Sequence, residues 1–131
     1  MQTFQVKTSS RIQFVEISSQ VEKAIATSKV RDGVAVVYVP HTTAGITINE
    51  AADPSVVDDI NDKLSSLIPH HGNYKHSEGN ADAHIKASLM GSSVHVIISG
   101  GSPVLGTWQG IFFCEFDGPR TRKVHVKIFS C

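Results

Sequence analysis

The stretch that decides the fold is WQGIFFCEFDGPRTRKVHVKIF, residues 108–129. Residues 108–116 are rich in aromatic and apolar side chains, which favours a strand. In residues 123–129, apolar side chains at 124, 126 and 128 alternate with polar ones, the pattern of a strand with one buried face. Asp117-Gly118-Pro119-Arg120 between them has the composition of a turn. This stretch therefore predicts a last pair of strands joined by a turn.

The rest of the chain predicts more strands and only a few helices. Further strands are predicted at residues 2–7, 12–17, 34–39, 46–49 and 94–98. Helices are predicted after the capping-box sequence Ser19-Gln20-Val21-Glu22, after Asp53-Pro54, and from Ala83 to Met90 before Gly91. Since helices are too few for βαβ units, we predict an α+β fold. The expected architecture is one compact domain over residues 1–131, of mainly antiparallel β-sheets in a sandwich-like arrangement with two or three short helices.

Composition limits the classes of function. The 131 residues include 12 Lys and Arg, 12 Asp and Glu, and seven His, so the formal net charge is zero. A protein that coats nucleic acid needs a basic surface, and we expect no nucleic-acid partner. No apolar run is long enough for a spanning helix, and the alternating N-terminus does not resemble a signal peptide. We expect a cytoplasmic protein without a membrane partner, in which Cys114 is a buried free thiol.

The first motif that could carry chemistry is Pro40-His41-Thr42-Thr43-Ala44-Gly45, at the end of a predicted buried strand. An imidazole and two hydroxyl groups at the end of a rigid element can form a site, and the glycine lets a ligand or backbone approach closely. A polar turn in which the threonine side chains bond the backbone explains the same residues. Both interpretations stay open at this point.

The second motif is His76-Ser77-Glu78-Gly79-Asn80-Ala81-Asp82-Ala83-His84, in which polar side chains occupy every second position. In an extended backbone these side chains would point the same way. Two imidazoles with carboxylates are a ligand set for zinc or a similar divalent ion, although the spacing matches no standard zinc motif. The alternative is a solvated loop that leads into a helix.

The third motif contains Glu115, Asp117 and Arg120 at the end of the decisive stretch. Two carboxylates and an arginine near a strand end can hold a metal, a phosphate or each other, so an ion-pair corner of a hairpin is the alternative. Arg120, Arg122, Lys123 and Lys127 form a local basic cluster that we interpret as a solvated strand face. The other histidines are assigned to a loop (70 and 71) and to sheet faces (95 and 125).

Four strings in this order, PHTTAGITINE, DPSVVDDI, HSEGNADAHIKASLMG and LGTWQGIFFCEFDGPRTRKVHVKI, resemble the secondary thiamine-phosphate synthase (YjbQ-like) family over residues 12–129. The resemblance implies an α+β homotrimer and a pocket in which several polar residues converge. It also implies a metal or an anion in that pocket, the metal being a zinc or magnesium ion. The implied metal ligands are His41, His76 and His84. The implied catalytic residues are Asn80, Glu115, Asp117 and Arg120, and the implied substrate-binding residues are Thr42, Thr43 and Arg120, with Glu50 a weaker candidate.

The activity that this resemblance implies is the transfer that joins a pyrimidine pyrophosphate to a thiazole phosphate. In that hypothesis a divalent ion and Arg120 bind the phosphate oxygens, while Glu115 or Asp117 orients a ligand or a histidine. The alternative is a non-catalytic binding module for a phosphorylated metabolite or a metal. A third interpretation is structural, with the histidines stabilising a trimer interface.

Overall fold

The computed structural model describes residues 1–131 as eight strands and three helices. The strands are β1 (Gln2–Lys7), β2 (Gln13–Glu16), β3 (Gly33–Tyr38), β4 (Ala44–Glu50), β5 (Ser93–Ser99), β6 (Ser102–Pro103), β7 (Gln109–Glu115) and β8 (Thr121–Ser130). The helices are α1 (Ser18–Ser28), α2 (Pro54–Leu67) and α3 (Ala81–Met90). The prediction of one α+β domain with mainly antiparallel sheets and three helices is confirmed.

Every strand pair is antiparallel, and the strands form two sheets. The five-stranded sheet has the order β1-β8-β3-β5-β6, and the three-stranded sheet has the order β2-β7-β4. The decisive stretch therefore changes sheets at its turn, since β7 lies in the smaller sheet and β8 in the larger. The turn brings Asp117 and Arg120 to the place where the two sheets part.

Strand β7 separates two hydrophobic cores because neighbouring side chains point to opposite faces. Ile111 and Phe113 belong to the main core, where the two sheets and α1 meet. Phe112 and Cys114 belong to a second core, which also contains Ala83 and Ala87 of α3. The Cys114 thiol is free and buried as predicted, and burial raises its pKa. Helix α3 is thus held against the smaller sheet, next to the end of β3.

Two local predictions were correct and two were wrong. Asp53 caps α2 by accepting the Ser55 N–H at 3.0 Å, with Pro54 in the first turn, and Gly91 ends α3. The capping box at Ser19 is absent, because α1 already begins at Ser18 after Ile17, which makes no side-chain cap. The start of α3 is at Ala81 rather than at the predicted Ala83. Residues 76–84 are therefore a loop that leads into a helix, which is the alternative left open for this motif, and not one extended segment.

Candidate functional site

A polar cleft of about 360 Å³ lies where the turn after β3, the start of α3 and the turn between β7 and β8 meet. No hydrophobic residue lines this cleft. Its lining residues are Pro40, His41, Thr42, Thr43, Glu78, Asn80, His84, Asp117, Arg120 and Arg122. All three motifs singled out in the sequence therefore contribute to one cleft, which is called the polar cleft below.

The His41 ring is held by the backbone of β8. Its Nε2 accepts the N–H of Lys123 at 2.9 Å, so in the neutral ring the proton is on Nδ1. Partial burial and the nearby charge of Arg122 lower the pKa of His41. At neutral pH His41 is therefore uncharged and has an Nδ1–H group available to donate.

Arg122 forms the base of the cleft through a buried ion pair with Glu115. Its Nε donates to Glu115 Oε1 at 2.9 Å, and its Nη2 donates to the other carboxylate oxygen and to Thr43 Oγ1 at 2.8 Å. Burial alone would raise the pKa of Glu115, but hydrogen bonds from Arg122, the Asp117 N–H and Thr8 lower it. The pair is charged, and Arg122 Nη1 has no partner within the chain.

Asp117 joins the two sides of the cleft. It accepts the Asn80 amide at 2.9 Å and Arg120 Nη2 at 3.0 Å, while Arg120 Nε donates to the Asp117 carbonyl at 2.8 Å. Arg120 thus also keeps its Nη1 free. Because each arginine is paired with one carboxylate, the two ion pairs add no net positive charge to the cleft, and the arginines present directed N–H groups to it instead.

The three histidines predicted to bind a metal are only partly brought together. His41 and His84 line the polar cleft, whereas His76 lies on its outer side, with its ring centroid 5.2 Å from that of His84. No group of three or more His, Cys, Asp or Glu side chains is placed to hold a metal ion, and His41 already uses Nε2. The donor atoms of a single chain, in the arrangement described, do not fit such an ion. The zinc or magnesium ion itself stays a prediction.

Most of the remaining predicted site residues converge. Thr42, Thr43, Asn80, Asp117 and Arg120 all line the polar cleft. Glu115 is buried behind the cleft rather than on its surface, where it fixes Arg122. Glu50 does not line the cleft, and its carboxylate accepts the Ala52 N–H at 2.9 Å.

Sequence reasoning missed Arg122, which was assigned to a solvated strand face. The burial of Arg122 could have been predicted from the alternation of β8, because Val124 and Val126, at even-numbered positions of this strand, are buried. Arg122 is also at an even-numbered position, and it is only 5% exposed. His95 and Lys123, by contrast, are exposed on the outer sheet face, in agreement with the sequence interpretation.

A second polar network also escaped prediction. Asp82 is fully buried in the first turn of α3 and binds Arg11 at 2.9 Å and Lys86 at 3.1 Å. The Arg11 carbonyl accepts the N–H of Gly118, at 2.9 Å, in the turn between β7 and β8. Arg11 therefore connects the start of α3 with this turn, the two segments that supply Asn80 and Asp117.

Fold and cleft together define a single-domain α+β protein with two antiparallel sheets and a polar cleft where they part. The chain belongs to the family described as UPF0047 protein YjbQ-like, which matches residues 2–131. It is 62% identical to the UPF0047 protein MJ1081 of Methanocaldococcus jannaschii over 97% of this chain and 92% of that protein. It is 47% identical to YugU of Bacillus subtilis over 99% of both chains.

Solved structures agree with the fold. A crystal structure from Clostridium acetobutylicum, described as an uncharacterized conserved protein of the YjbQ/UPF0047 family, has a TM-score of 0.97 and 59% identity over 98% of this chain and 100% of that one. A YbjQ-like protein of unknown function from Sulfolobus solfataricus has a TM-score of 0.95 and 32% identity over 99% of this chain and 96% of that one.

These relatives correct the expected activity. The descriptions of the family and of the relatives named above give no thiamine-phosphate synthase activity, so the prediction of that transferase is wrong, while the assignment to the YjbQ-like family is right. The alternative of a non-catalytic binding module agrees better with the relatives. No helix of the chain is both long and apolar enough to cross a membrane.

Proposed function

We propose that the polar cleft is a binding site for a small phosphorylated molecule, which the chain holds without turning it over. The observation that carries the proposal is the pair of arginines in one cleft. Arg120 and Arg122 each engage a carboxylate through Nε or Nη2 and each keep Nη1 free. Two guanidinium N–H edges on one small cleft suit the oxygens of a phosphate group.

Other groups of the cleft support the same ligand chemistry. His41 is neutral and has a free Nδ1–H, and the Thr42 side chain is exposed at the entrance. The cleft also lacks a pair of close, unpaired carboxylates that could act as acid and base, because Glu115 and Asp117 are both engaged by arginines. Binding through hydrogen-bond donors explains these features without a reaction step.

Calorimetric titration with inorganic phosphate and with glycerol 3-phosphate tests this proposal. We expect saturable binding that Arg120→Met weakens about tenfold or more, since one charge-assisted hydrogen bond contributes about 1.5–3 kcal/mol. Arg31→Met, which changes an exposed arginine outside the polar cleft, is the control and should leave the affinity unchanged. Glycerol 3-phosphate should be recovered intact. Absence of saturable binding, or equal affinity of Arg120→Met and the unmodified chain, would disprove the proposal.

The homotrimer also stays a prediction. Sedimentation equilibrium over a range of concentrations measures it directly, and the same samples can be titrated with phosphate. A binding module that works as a single chain keeps its affinity when the assembly dissociates. A loss of affinity on dissociation would place part of the site on a neighbouring copy.

A further inference from the structure

The polar cleft contains one buried hydrogen-bond acceptor that the chain leaves unpaired. The Asn80 amide nitrogen donates to Asp117 Oδ2 at 2.9 Å, which fixes the orientation of the amide. Its Oδ1 is inaccessible to solvent and has no partner. Exchanging the two amide atoms would place Oδ1 against the carboxylate, so the missing group is a donor. An ionised phosphate cannot supply that donor, whereas a hydroxyl group can.

A second cleft continues from the polar cleft along α3. It has a volume of about 510 Å³ and shares His41, Thr42 and His84 with the polar cleft, so the two form one trough. The additional lining residues are Ala44, Ala87, Ser88, Gly91 and Ser92. The trough is therefore larger than one phosphate group needs, and it continues past the arginines.

Two of the five additional residues of this second cleft, Ser88 and Ser92, have small polar side chains, and the other three are alanine or glycine. Ser88 donates to the His84 carbonyl at 2.9 Å and keeps its oxygen lone pairs available, and Ser92 is exposed. No Phe, Tyr or Trp side chain lines it, so a heteroaromatic ring would have no stacking partner there besides imidazole. Hydroxyl and imidazole groups suit a ligand that bears hydroxyl groups of its own.

We propose that the ligand is a hydroxylated phosphate ester of the sugar phosphate or polyol phosphate class. Its phosphate contacts Arg120 and Arg122, and the rest of its hydroxylated body lies in the part of the trough that contains Ser88 and Ser92. One hydroxyl group donates to Asn80 Oδ1 after the side chains that cover this atom move apart on binding. This inference rests on the proposed function, because it needs the phosphate site, but it adds the identity of the body attached to the phosphate.

The test compares esters that share a phosphate but differ in their hydroxyl groups. Calorimetry on the full chain uses inorganic phosphate, glycerol 3-phosphate, n-propyl phosphate and phenyl phosphate. We expect glycerol 3-phosphate to bind about tenfold or more tightly than n-propyl phosphate, which has the same carbon chain without the two hydroxyl groups. Equal or tighter binding of n-propyl or phenyl phosphate overturns the inference while leaving the phosphate site intact. If neither phosphate nor any ester binds, the proposed function itself fails.

Two pairs of variants locate the hydroxyl preference. The double variant Ser88→Ala, Ser92→Ala should reduce the ratio of the two affinities to about twofold, while binding of inorganic phosphate stays unchanged and shows that the cleft is intact. Its control is Ser65→Ala, Ser66→Ala on α2, where both serines are exposed. Asn80→Ala should also reduce the ratio, whereas Asn61→Ala, which changes the other asparagine with a buried unpaired Oδ1, should not. If none of these variants changes the ratio of the two affinities, the assignment of the hydroxyl-binding residues is overturned.

Discussion

The neutral state of His41 makes stability depend on pH. Because the pKa of His41 in the folded chain is below its usual 6.5, the unfolded chain takes up the proton more readily. The His41 contribution is therefore complete above about pH 6.5 and is lost as the pH falls below that value toward the folded pKa. We expect His41→Gln to lower the free energy of unfolding more at pH 7.5 than at pH 5.5, measured by urea denaturation at both values.

An equal effect of His41→Gln at the two pH values would show that the His41 pKa is not shifted in the folded chain. The comparison between variant and unmodified chain is needed because the chain contains six other histidines. Nitrogen chemical shifts give an independent check, since they report directly whether the proton resides on Nδ1 of the neutral ring.

The two arginines of the polar cleft should differ greatly in their effect on stability. Arg122→Met leaves the fully buried Glu115 carboxylate without its counter-charge, which costs about 3–5 kcal/mol. Arg120→Met removes an ion pair in which the arginine side chain is 52% exposed, worth about 0–1 kcal/mol. Urea denaturation of the two variants checks this order. Equal destabilisation by the two changes would mean that Glu115 finds another partner or becomes protonated.

At the scale of elements, helix α3 depends on a buried charge in its first turn. Burial alone would raise the pKa of Asp82, but hydrogen bonds from Arg11 and Lys86 lower it, so the carboxylate is charged. Asp82→Ala leaves the Lys86 ammonium, 1% exposed, without its partner and should cost about 3–5 kcal/mol. Lys86→Met should cost less than about 2 kcal/mol, because Asp82 keeps Arg11 and the methionine replaces the apolar stem.

Thermal or urea denaturation of both variants decides this prediction, with Asp58→Ala on the exposed side of α2 as the control. That control should change stability by no more than about 0.5 kcal/mol. If Lys86→Met were as destabilising as Asp82→Ala, the lysine would have a further partner that the carboxylate does not explain.

The elements themselves were largely predictable because their patterns are local. Alternation in β1 and β8 and the Asp53-Pro54 start of α2 each follow from neighbouring residues. The start of α3 was misplaced because Asn80 makes no side-chain cap, so the usual signal is missing. The partners of Arg122 and Asp82 were not predictable in this way, since Thr43 and Arg11 are 79 and 71 residues distant in sequence.

Most residues of the candidate site were predicted from the sequence, but their contacts with one another were not. Asn80 and Asp117 were both named from the sequence, but their contact joins positions 37 residues apart and depends on how β7 and α3 pack. Glu115 was named for a role at a ligand and instead fixes an arginine. Whether a charged side chain contacts a ligand or fixes another side chain depends on its burial. In the sequence, only the alternation along β8 indicated which charged side chain is buried.

At the scale of the whole molecule, the layers differ in how firmly they are held. Six of the seven residues of β7 are buried, and the side chains of residues 111–114 contribute to both cores. Helix α2 lies on the outside of the smaller sheet and has no buried residue. Regions with few buried contacts open with a lower free energy than the global one. We therefore expect hydrogen exchange to be slowest in β7 and fastest, among the regular elements, in α2.

Hydrogen exchange followed by mass spectrometry measures this order segment by segment at two protein concentrations. Exchange in α2 that is fast and independent of concentration agrees with a helix held only by its partly buried apolar side. Exchange in α2 that is as slow as in β7 contradicts the packing described for the single chain. If that protection appears only at high concentration, a second copy covers α2, because contact between copies is the only interaction in such a sample that depends on protein concentration.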